Sequence, residues 1–310
     1  MFPVYFAPLQ GFTEAPYRRI HNAVCGGIAK YYTPFIRLEH GQIRKKDLRE
    51  ALPEQNTGVC VIPQVIANSA EEFSILTEKL ISLGHQEIDI NMGCPFPLQT
   101  RTGRGSGILP HPENVESVLN EAQCIREERG VRFSLKMRLG QESSDECLAL
   151  LPIINRVELE HITLHPRIGR DQYKGELDMQ AFKQFYEASN NPIVFNGMLL
   201  TTEDIHRIEE EYPKLKALMI GRGLLARPTL ATEYQTGKNM TDDEVRRRVL
   251  QMHQALLTHY EKAIEGGESQ LVQKMHSFWE YQEPLFGHKH VKQVMKSGSL
   301  RRYREAVANL

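Results

Sequence analysis

A chain of 310 residues with 41% hydrophobic and 25% charged side chains is ordinary for a globular protein, with room for one large domain and a small one. A formal net charge of −1 excludes a broadly basic nucleic-acid binder, so any polyanion must be met by a local patch. Five cysteines, odd in number and with no C-x-x-C pair, argue against a disulfide framework or zinc ribbon and fit a reducing, cytoplasmic setting; no signal peptide and no apolar run of membrane-spanning length is read.

In chain order, Val4–Pro8 is expected to be a strand ending in the turn Pro8-Leu9-Gln10-Gly11, after which Thr13 and Glu14 open a helix running through Arg19 and Ile20. Gly27–Tyr32 reads as a short second strand. The polar stretch Gly41–Asn56, with Arg44, Lys45 and Lys46, reads as a surface loop or short helix. Val59–Ile66 is the third strand, and Ser69-Ala70-Glu71-Glu72 has the form of a capping box for a helix to Leu83. Glu87–Met92 alternates apolar and polar residues as a strand does, then breaks into Gly93-Cys94-Pro95 and a second glycine turn, Gly103–Leu109. A cysteine held between glycine and proline at a strand end is presented to whatever binds above the sheet. Helix His111–Glu128, strand Ser134–Arg138, helix Asp145–Arg156, strand His161–His165, helix Met179–Ala188, strand Ile193–Asn196, helix Thr202–Tyr212 and strand Ala217–Gly221 follow.

Alternation of this kind predicts an α/β fold, a (β/α)8 TIM barrel. A doubly wound sheet would need a glycine fingerprint after the first strand, and Pro8-Leu9-Gln10-Gly11 is not one. From the capping box Thr241–Glu244 onward no strand is expected, and Val245–Ala263, Leu271–Tyr281 and His290–Asn309 read as helices. The domains are therefore drawn as a barrel over residues 1–237 and a small all-helical unit over 238–310.

Barrel enzymes build their sites at the C-terminal ends of the strands. Those ends carry Pro8, Leu9 and Gln10; Gln64; Asn91 and Cys94; Lys136 and Arg138; His165 and Arg167; Asn196, Gly197 and Met198; and Gly221 and Arg222. Polar groups at nearly every end point to a polar ligand across the mouth. The glycine turns Asn196-Gly197-Met198 and Gly221-Arg222-Gly223 fall where barrels bind phosphate. Lys136 is read either as a snorkelling edge lysine or as a fixed positive charge beneath an anion, and His165 either as a core histidine or as part of the site. No metal-ligand spacing is present; His288-Lys289-His290 reads as surface.

Taken together, these motifs resemble the tRNA-dihydrouridine synthase family over essentially the whole chain. The resemblance rests on Ala7–Glu14, Asp89–Pro95, Gly103–Leu109, Lys136–Gly140, Val194–Gly197 and Met219–Gly223. It departs from the family at Leu9 and Glu14, where methionine and aspartate are usual, and at His165-Pro166-Arg167, usually His-Gly-Arg. The resemblance implies an enzyme that uses FMN, and NADPH as electron donor, to reduce a uridine in tRNA to 5,6-dihydrouridine. Cys94 would give the proton at C5. FMN would be held by Pro8, Leu9, Gln10, Gln64, Lys136, His165, Asn196, Gly197, Met198, Gly221 and Arg222. Asn91, Arg138 and Arg167 would meet the substrate, as would Arg301, Arg302 and Arg304 in the acid-free basic window Gly287–Arg304. Arg246–Arg248 and Arg44–Lys46 are further basic clusters. No protein partner is implied, and a monomer is expected. Competing readings are an FMN barrel acting on a free pyrimidine such as dihydroorotate, and an RNA-binding protein without catalysis.

Overall fold

A computed structural model describes residues 1–310. Eight parallel strands ring a central axis: β1 (Val4–Phe6), β2 (Lys30–Tyr32), β3 (Val61–Ile62 and Gln64–Val65), β4 (Glu87–Met92), β5 (Arg132–Gly140), β6 (Ile162–Ile168), β7 (Ile193–Phe195) and β8 (Ala217–Ile220). Strand β3, expected to be continuous, is split at Pro63, which has no N–H to give a ladder. Its first half pairs with β2 and its second with β4, so the split strand closes the barrel. β1 pairs with β8 on the other side, Tyr5 lying opposite Met219.

Strands β5 and β6 run past their expected ends to Gly140 and Ile168, so Arg138, His165, Pro166 and Arg167 all lie within strands. A register shift between Arg138 and Gly140 re-aims the top of β5. Pro166 is accommodated there, because its carbonyl still accepts from Asp178 N at 2.9 Å.

Helices cover the outside and bury their apolar stripes against the strands, Phe73 of Ala70–Ser82 meeting Phe133 with ring centroids 5.4 Å apart. Ser69 caps its helix, accepting from Glu72 N at 3.3 Å, but the reciprocal half of the expected box is missing: Glu72 turns to Asn68 N and Arg104. Thr241 and Glu244 do form a reciprocal box, as do Thr201 and Asp204. The polar stretch after β2 holds a two-strand hairpin, Leu38–Glu39 with Gln42–Ile43, and a short helix, Lys45–Arg49. Buried Arg18 ties it to the barrel, donating to Glu50 O at 2.7 Å and Asn56 Oδ1 at 2.6 Å.

No strand follows Ile220. Helices Asp242–Ala263, Gly267–Trp279, Glu283–Phe286, His288–Met295 and Leu300–Ala308 pack around Trp279, Tyr303 and His253, with Trp279 Nε1 donating to Tyr303 Oη at 2.8 Å. The single helix expected over His290–Asn309 is two, because Ser299 caps a fresh start by accepting from Arg302 N. These helices share an apolar core with the barrel. Lys274 pairs with Glu14 at 2.7 Å, which docks helix Gly267–Trp279 on the loop after β1. No helix is long and apolar enough to cross a membrane.

Candidate active site at the barrel mouth

Inside the barrel the polar residues stand in layers. At the bottom Lys30 pairs with Glu87 at 2.6 Å, and Lys216 with Glu160 at 3.2 Å. Tyr5, Tyr32 and His161 fill the layer above, Tyr32 Oη lying 3.1 Å from His161 Nε2. Register then places Gln64 opposite Asp89, Asp89 opposite Ser134, and Asn91 opposite Lys136, all directed inward.

Above them opens a cavity of about 840 Å³, counting its space open to solvent. Pro8, Leu9, Gln10, Gln64, Asn91, Cys94, Lys136, Arg138, His165, Asn196, Gly197, Gly221 and Arg222 line it, so all the expected strand-end residues but Arg167 and Met198 meet in one place.

Cys94 is less open than its loop position suggests. It is 8% exposed and packs with Phe35 and Ile66, while still facing the cavity. Its backbone is held from three directions. Asn91 Oδ1 accepts from Gly93 N at 3.1 Å and Cys94 N at 2.9 Å. The Cys94 carbonyl accepts from Ser106 N at 3.0 Å and Ser106 Oγ at 3.1 Å. Arg138 Nε donates to Gly93 O at 3.1 Å. Gly105 has φ +60°, and a Cβ there would lie 2.4 Å from the Cys94 carbonyl oxygen, so the second glycine turn is required for this approach. Burial holds the Cys94 thiol protonated above the ordinary thiol range.

Lys136 is no snorkelling edge lysine. Its ammonium donates to Asn196 Oδ1 at 2.8 Å inside the cavity, and burial, with Arg138 close by, brings its pKa down to about 8. Asn196 in turn donates to Met219 O at 2.8 Å. His165 Nδ1 lies 2.5 Å from Asn196 O; a carbonyl only accepts, so Nδ1 carries the proton and Nε2 accepts from Arg167 Nη1 at 3.5 Å. Burial and the nearby guanidinium groups push its pKa well down, so it stays neutral.

Two expected contacts fall elsewhere. Arg167 is buried behind His165, donating to Gly175 O at 2.5 Å and to Met198 Sδ at 3.0 Å; neither Arg167 nor Met198 lines the cavity. Arg167 instead clamps the loop after β6 to that after β7. Gly223 is explained by packing, because a Cβ there would lie 2.0 Å from Leu199 O. Tyr173, unread in the sequence, lines the mouth with the guanidinium carbons of Arg222 and Arg138 at 4.9 and 5.5 Å from its ring centre. Its only sequence signal was an aromatic residue in the polar loop Arg170–Gly175.

Arg301, Arg302 and Arg304 are exposed on helix Leu300–Ala308, away from the cavity lining, with Arg301 beside Glu305 and Arg304 on Glu261. Lys289, Lys292 and Lys296 are exposed on the preceding helix. The Arg246–Arg248 cluster is largely tied up: Arg246 donates to Leu285 O and Arg248 to Val24 O. Arg44 faces Glu39 and Asp47.

The chain matches the family model described as Dihydrouridine synthase (Dus) over residues 5–309. It is similar to tRNA-dihydrouridine synthase B of Vibrio parahaemolyticus, 28% identical over 94% of this chain and 85% of that one. The same-named protein of Vibrio vulnificus is 26% identical over the same shares of the two chains. The tRNA-dihydrouridine(16) synthase of Haemophilus ducreyi is 27% identical over 74% and 71%. Among solved structures, the old yellow enzyme from Trypanosoma cruzi superposes with a TM-score of 0.55 at 10% identity, over 79% of this chain and 92% of that one, a likeness of fold.

Proposed function

The chain belongs to the dihydrouridine synthase family, and from that premise we propose that it reduces uridine in tRNA to 5,6-dihydrouridine, with FMN at the barrel mouth and NADPH as electron donor. The observation that carries this reading is the cavity itself, where a protonated thiol, an ammonium and a row of amides converge at one barrel end. Residues 1–237 would hold the cofactor and the chemistry, and residues 238–310 would meet RNA, in a monomer.

The donor set fits FMN. Lys136 on the cavity floor and Arg222 at its rim put positive charge at both ends, suited to a ligand anionic at a ring edge and at a phosphate. Gln64, Asn91 and Asn196 offer amides between them, and Pro8, Leu9, Gln10 and Gly197 complete the walls. Bound FMN, once reduced, would supply hydride to C6 of the uracil. Lys136 would hold negative charge near the ring, and His165, kept neutral, would add no charge beside it. Asn91 and Arg138 would orient the substrate base beside Cys94. The Cys94 thiol would give its proton to C5, burial keeping that proton in place at neutral pH. A stacked uracil cannot reach a barrel floor, so the nucleotide must be turned out of its stack. Phe96 and Leu98, exposed beside the mouth, give apolar surface for its neighbours.

The test is anaerobic. Purified protein should carry flavin, bleach with NADPH, recover colour on adding tRNA, and leave a uridine two hydrogens heavier by mass spectrometry. Recovery with free orotate or uracil instead of tRNA would replace this reading with a small-molecule dehydrogenase. Absence of flavin after loading with FMN would replace it with RNA binding alone.

A further inference from the structure

Asp89 is a carboxylate buried inside the barrel, and the chemistry above leaves it without a role. It is wholly buried, does not line the cavity, and sits on β4 two residues before Asn91. Its Oδ1 accepts from Ser134 Oγ at 2.6 Å and its Oδ2 from Gln64 Nε2 at 2.6 Å. Gln64 Oε1 accepts from Asn91 Nδ2 at 2.7 Å, and Asn91 Oδ1 accepts from the backbone of Gly93 and Cys94.

We propose that Asp89 is a positioning residue, which through Gln64 and Asn91 fixes the direction of a hydrogen-bond relay ending on the backbone of Cys94. Donors and acceptors set that direction. Backbone N–H groups can only donate, so Asn91 must turn its oxygen to the cysteine turn and its nitrogen to Gln64. Gln64 must then show its oxygen to Asn91 and its nitrogen to the next group, which has to be an acceptor. A carboxylate oxygen is an acceptor in either orientation, so both amides are locked from both ends.

Without an acceptor at position 89, Gln64 loses the partner for its nitrogen in a buried site, which favours rotation of its amide. A rotated Gln64 faces Asn91 nitrogen to nitrogen, Asn91 rotates in turn, and the Cys94 turn loses its clamp. The same lock leaves one free N–H each on Gln64 and Asn91, so the cavity floor between them is suited to ligand carbonyl oxygens. Burial raises the Asp89 pKa to about 7. Proton uptake does not reverse the relay, since a proton on Oδ1 can be given to Ser134 Oγ while Oδ2 continues to accept.

The functional half rests on the reading of Cys94 as proton donor, and the experiment separates the two. Asp89→Val removes the acceptor at similar bulk; Asp89→Asn removes the charge but keeps an oxygen for Gln64. Amide hydrogen exchange over Met92–Phe96 reads the clamp without any function assumed. In the flavin-loaded protein, stopped-flow absorbance reads reduction by NADPH and reoxidation by tRNA separately. For Asp89→Val the expected result is at least tenfold faster exchange of the Gly93 and Cys94 amides. Reoxidation by tRNA should slow on the order of 10²-fold, and reduction by NADPH should slow by less, since only the tRNA half depends on the aim of Cys94. Asp89→Asn should recover about tenfold or more of both losses. Equal behaviour of the two variants would overturn the proposal, because charge or packing alone would then be the cause. If Asp89→Val does not fold, Asp89→Asn decides by itself: parent-like exchange and reoxidation support the relay, and losses as large as those of Cys94→Ala overturn it. If Cys94→Ala reoxidises at the parent rate, the proton-donor reading has failed, and the relay is then judged on the exchange data.

Discussion

Lys136 on β5 and Asn196 at the end of β7 meet over the intervening strand β6, Nζ to Oδ1 at 2.8 Å, and Asn196 extends the link to the Met219 carbonyl of β8. Lys136 and Asn196 thereby link β5, β7 and β8 at the end where the cavity opens. The link holds the Lys136 ammonium in a buried place, and this lowers its pKa to about 8 from the usual lysine value.

The first prediction follows from that value. An anionic ligand binds the protonated lysine better, so affinity of the flavin-free protein for FMN should be level near pH 7 and fall as pH rises through about 8. Lys136→Met should bind more weakly at pH 7 and show no fall over that interval. Fluorescence titration with FMN from pH 7 to 9.5 checks it. A pH-dependent fall that persists in the methionine variant would assign the titration to another group.

Asp89 yields a stability prediction of definite sign. Its folded-state pKa, about 7, lies above the unfolded carboxylate value, so the native state holds a proton the unfolded chain has lost between about pH 4 and 7. Stability linked to this group is therefore greatest at acid pH and declines as pH rises through 7. Asp89→Asn cannot titrate. The melting temperature of the variant relative to the parent should become more favourable from pH 5 to pH 8, measured by differential scanning calorimetry. A difference that is flat or moves the other way refutes the assignment.

The barrel was legible because most strands carry their own boundary signal, a short β-rich run closed by glycine or proline, and the helices between them show a 3.6 period. Positions at strand ends converge in any barrel, so finding the cavity residues required only chain order. What was hidden depended on partners distant in sequence. Arg167 could not be told from a ligand-facing arginine until Gly175 O and Met198 Sδ were seen around it. Asp89 read as one polar residue in an alternating strand, and its weight comes from Ser134, distant in the chain and adjacent in the sheet. The break at Lys296–Ser299 was masked by apolar periodicity continuing on both sides, although Ser299 is a capping residue.

Arg222→Ala should weaken FMN retention by roughly 1.5–3 kcal/mol, the worth of a charge-assisted hydrogen bond to phosphate. Tyr173 supplies the control, because its ring lies against the same guanidinium. Tyr173→Phe keeps the ring and should retain flavin as the parent does. An Arg222→Ala protein that purifies with full, tightly held flavin would move the phosphate elsewhere.

For RNA, the basic residues without a nearby acid are the stronger choice. Arg304 is engaged with Glu261 and Arg301 lies near Glu305, whereas Lys289, Lys292 and Lys296 have no acidic partner within ion-pair distance. Replacing the three lysines by glutamine should flatten the dependence of log affinity for tRNA on log salt, by about 0.7–0.9 for each phosphate no longer neutralised. Replacing Arg301, Arg302 and Arg304 should flatten it less. NADPH-dependent flavin reduction should be unchanged in both. Filter binding over a salt series gives the slopes, and slopes equal to the parent in both variants would place the RNA on another face.

The last prediction divides the reaction at Cys94. Because the thiol is buried against Phe35 and Ile66 rather than free in a loop, Cys94→Ala should lower stability by about 1 kcal/mol, near the cost of removing one buried methylene-sized group. The turn should survive, since Asn91, Ser106 and Arg138 hold its backbone and not its sulfur. FMN binding and bleaching by NADPH should therefore stay close to the parent. Reoxidation by tRNA should slow by ~10²–10⁴, the range for a lost general acid. Cys94→Ser should be nearly as slow, because an alcohol is a far weaker acid than a thiol and the clamp that aims it is unchanged. Burial raises the thiol pKa, so the parent should keep its acid well above neutral pH, and loss of rate near pH 8 would be traced to Lys136. Stopped-flow absorbance with NADPH and tRNA added in separate steps resolves the two halves. A Cys94→Ala protein that reoxidises with tRNA at the parent rate and still yields dihydrouridine would make the cysteine a packing residue, and the proton would have to come from another group in the cavity.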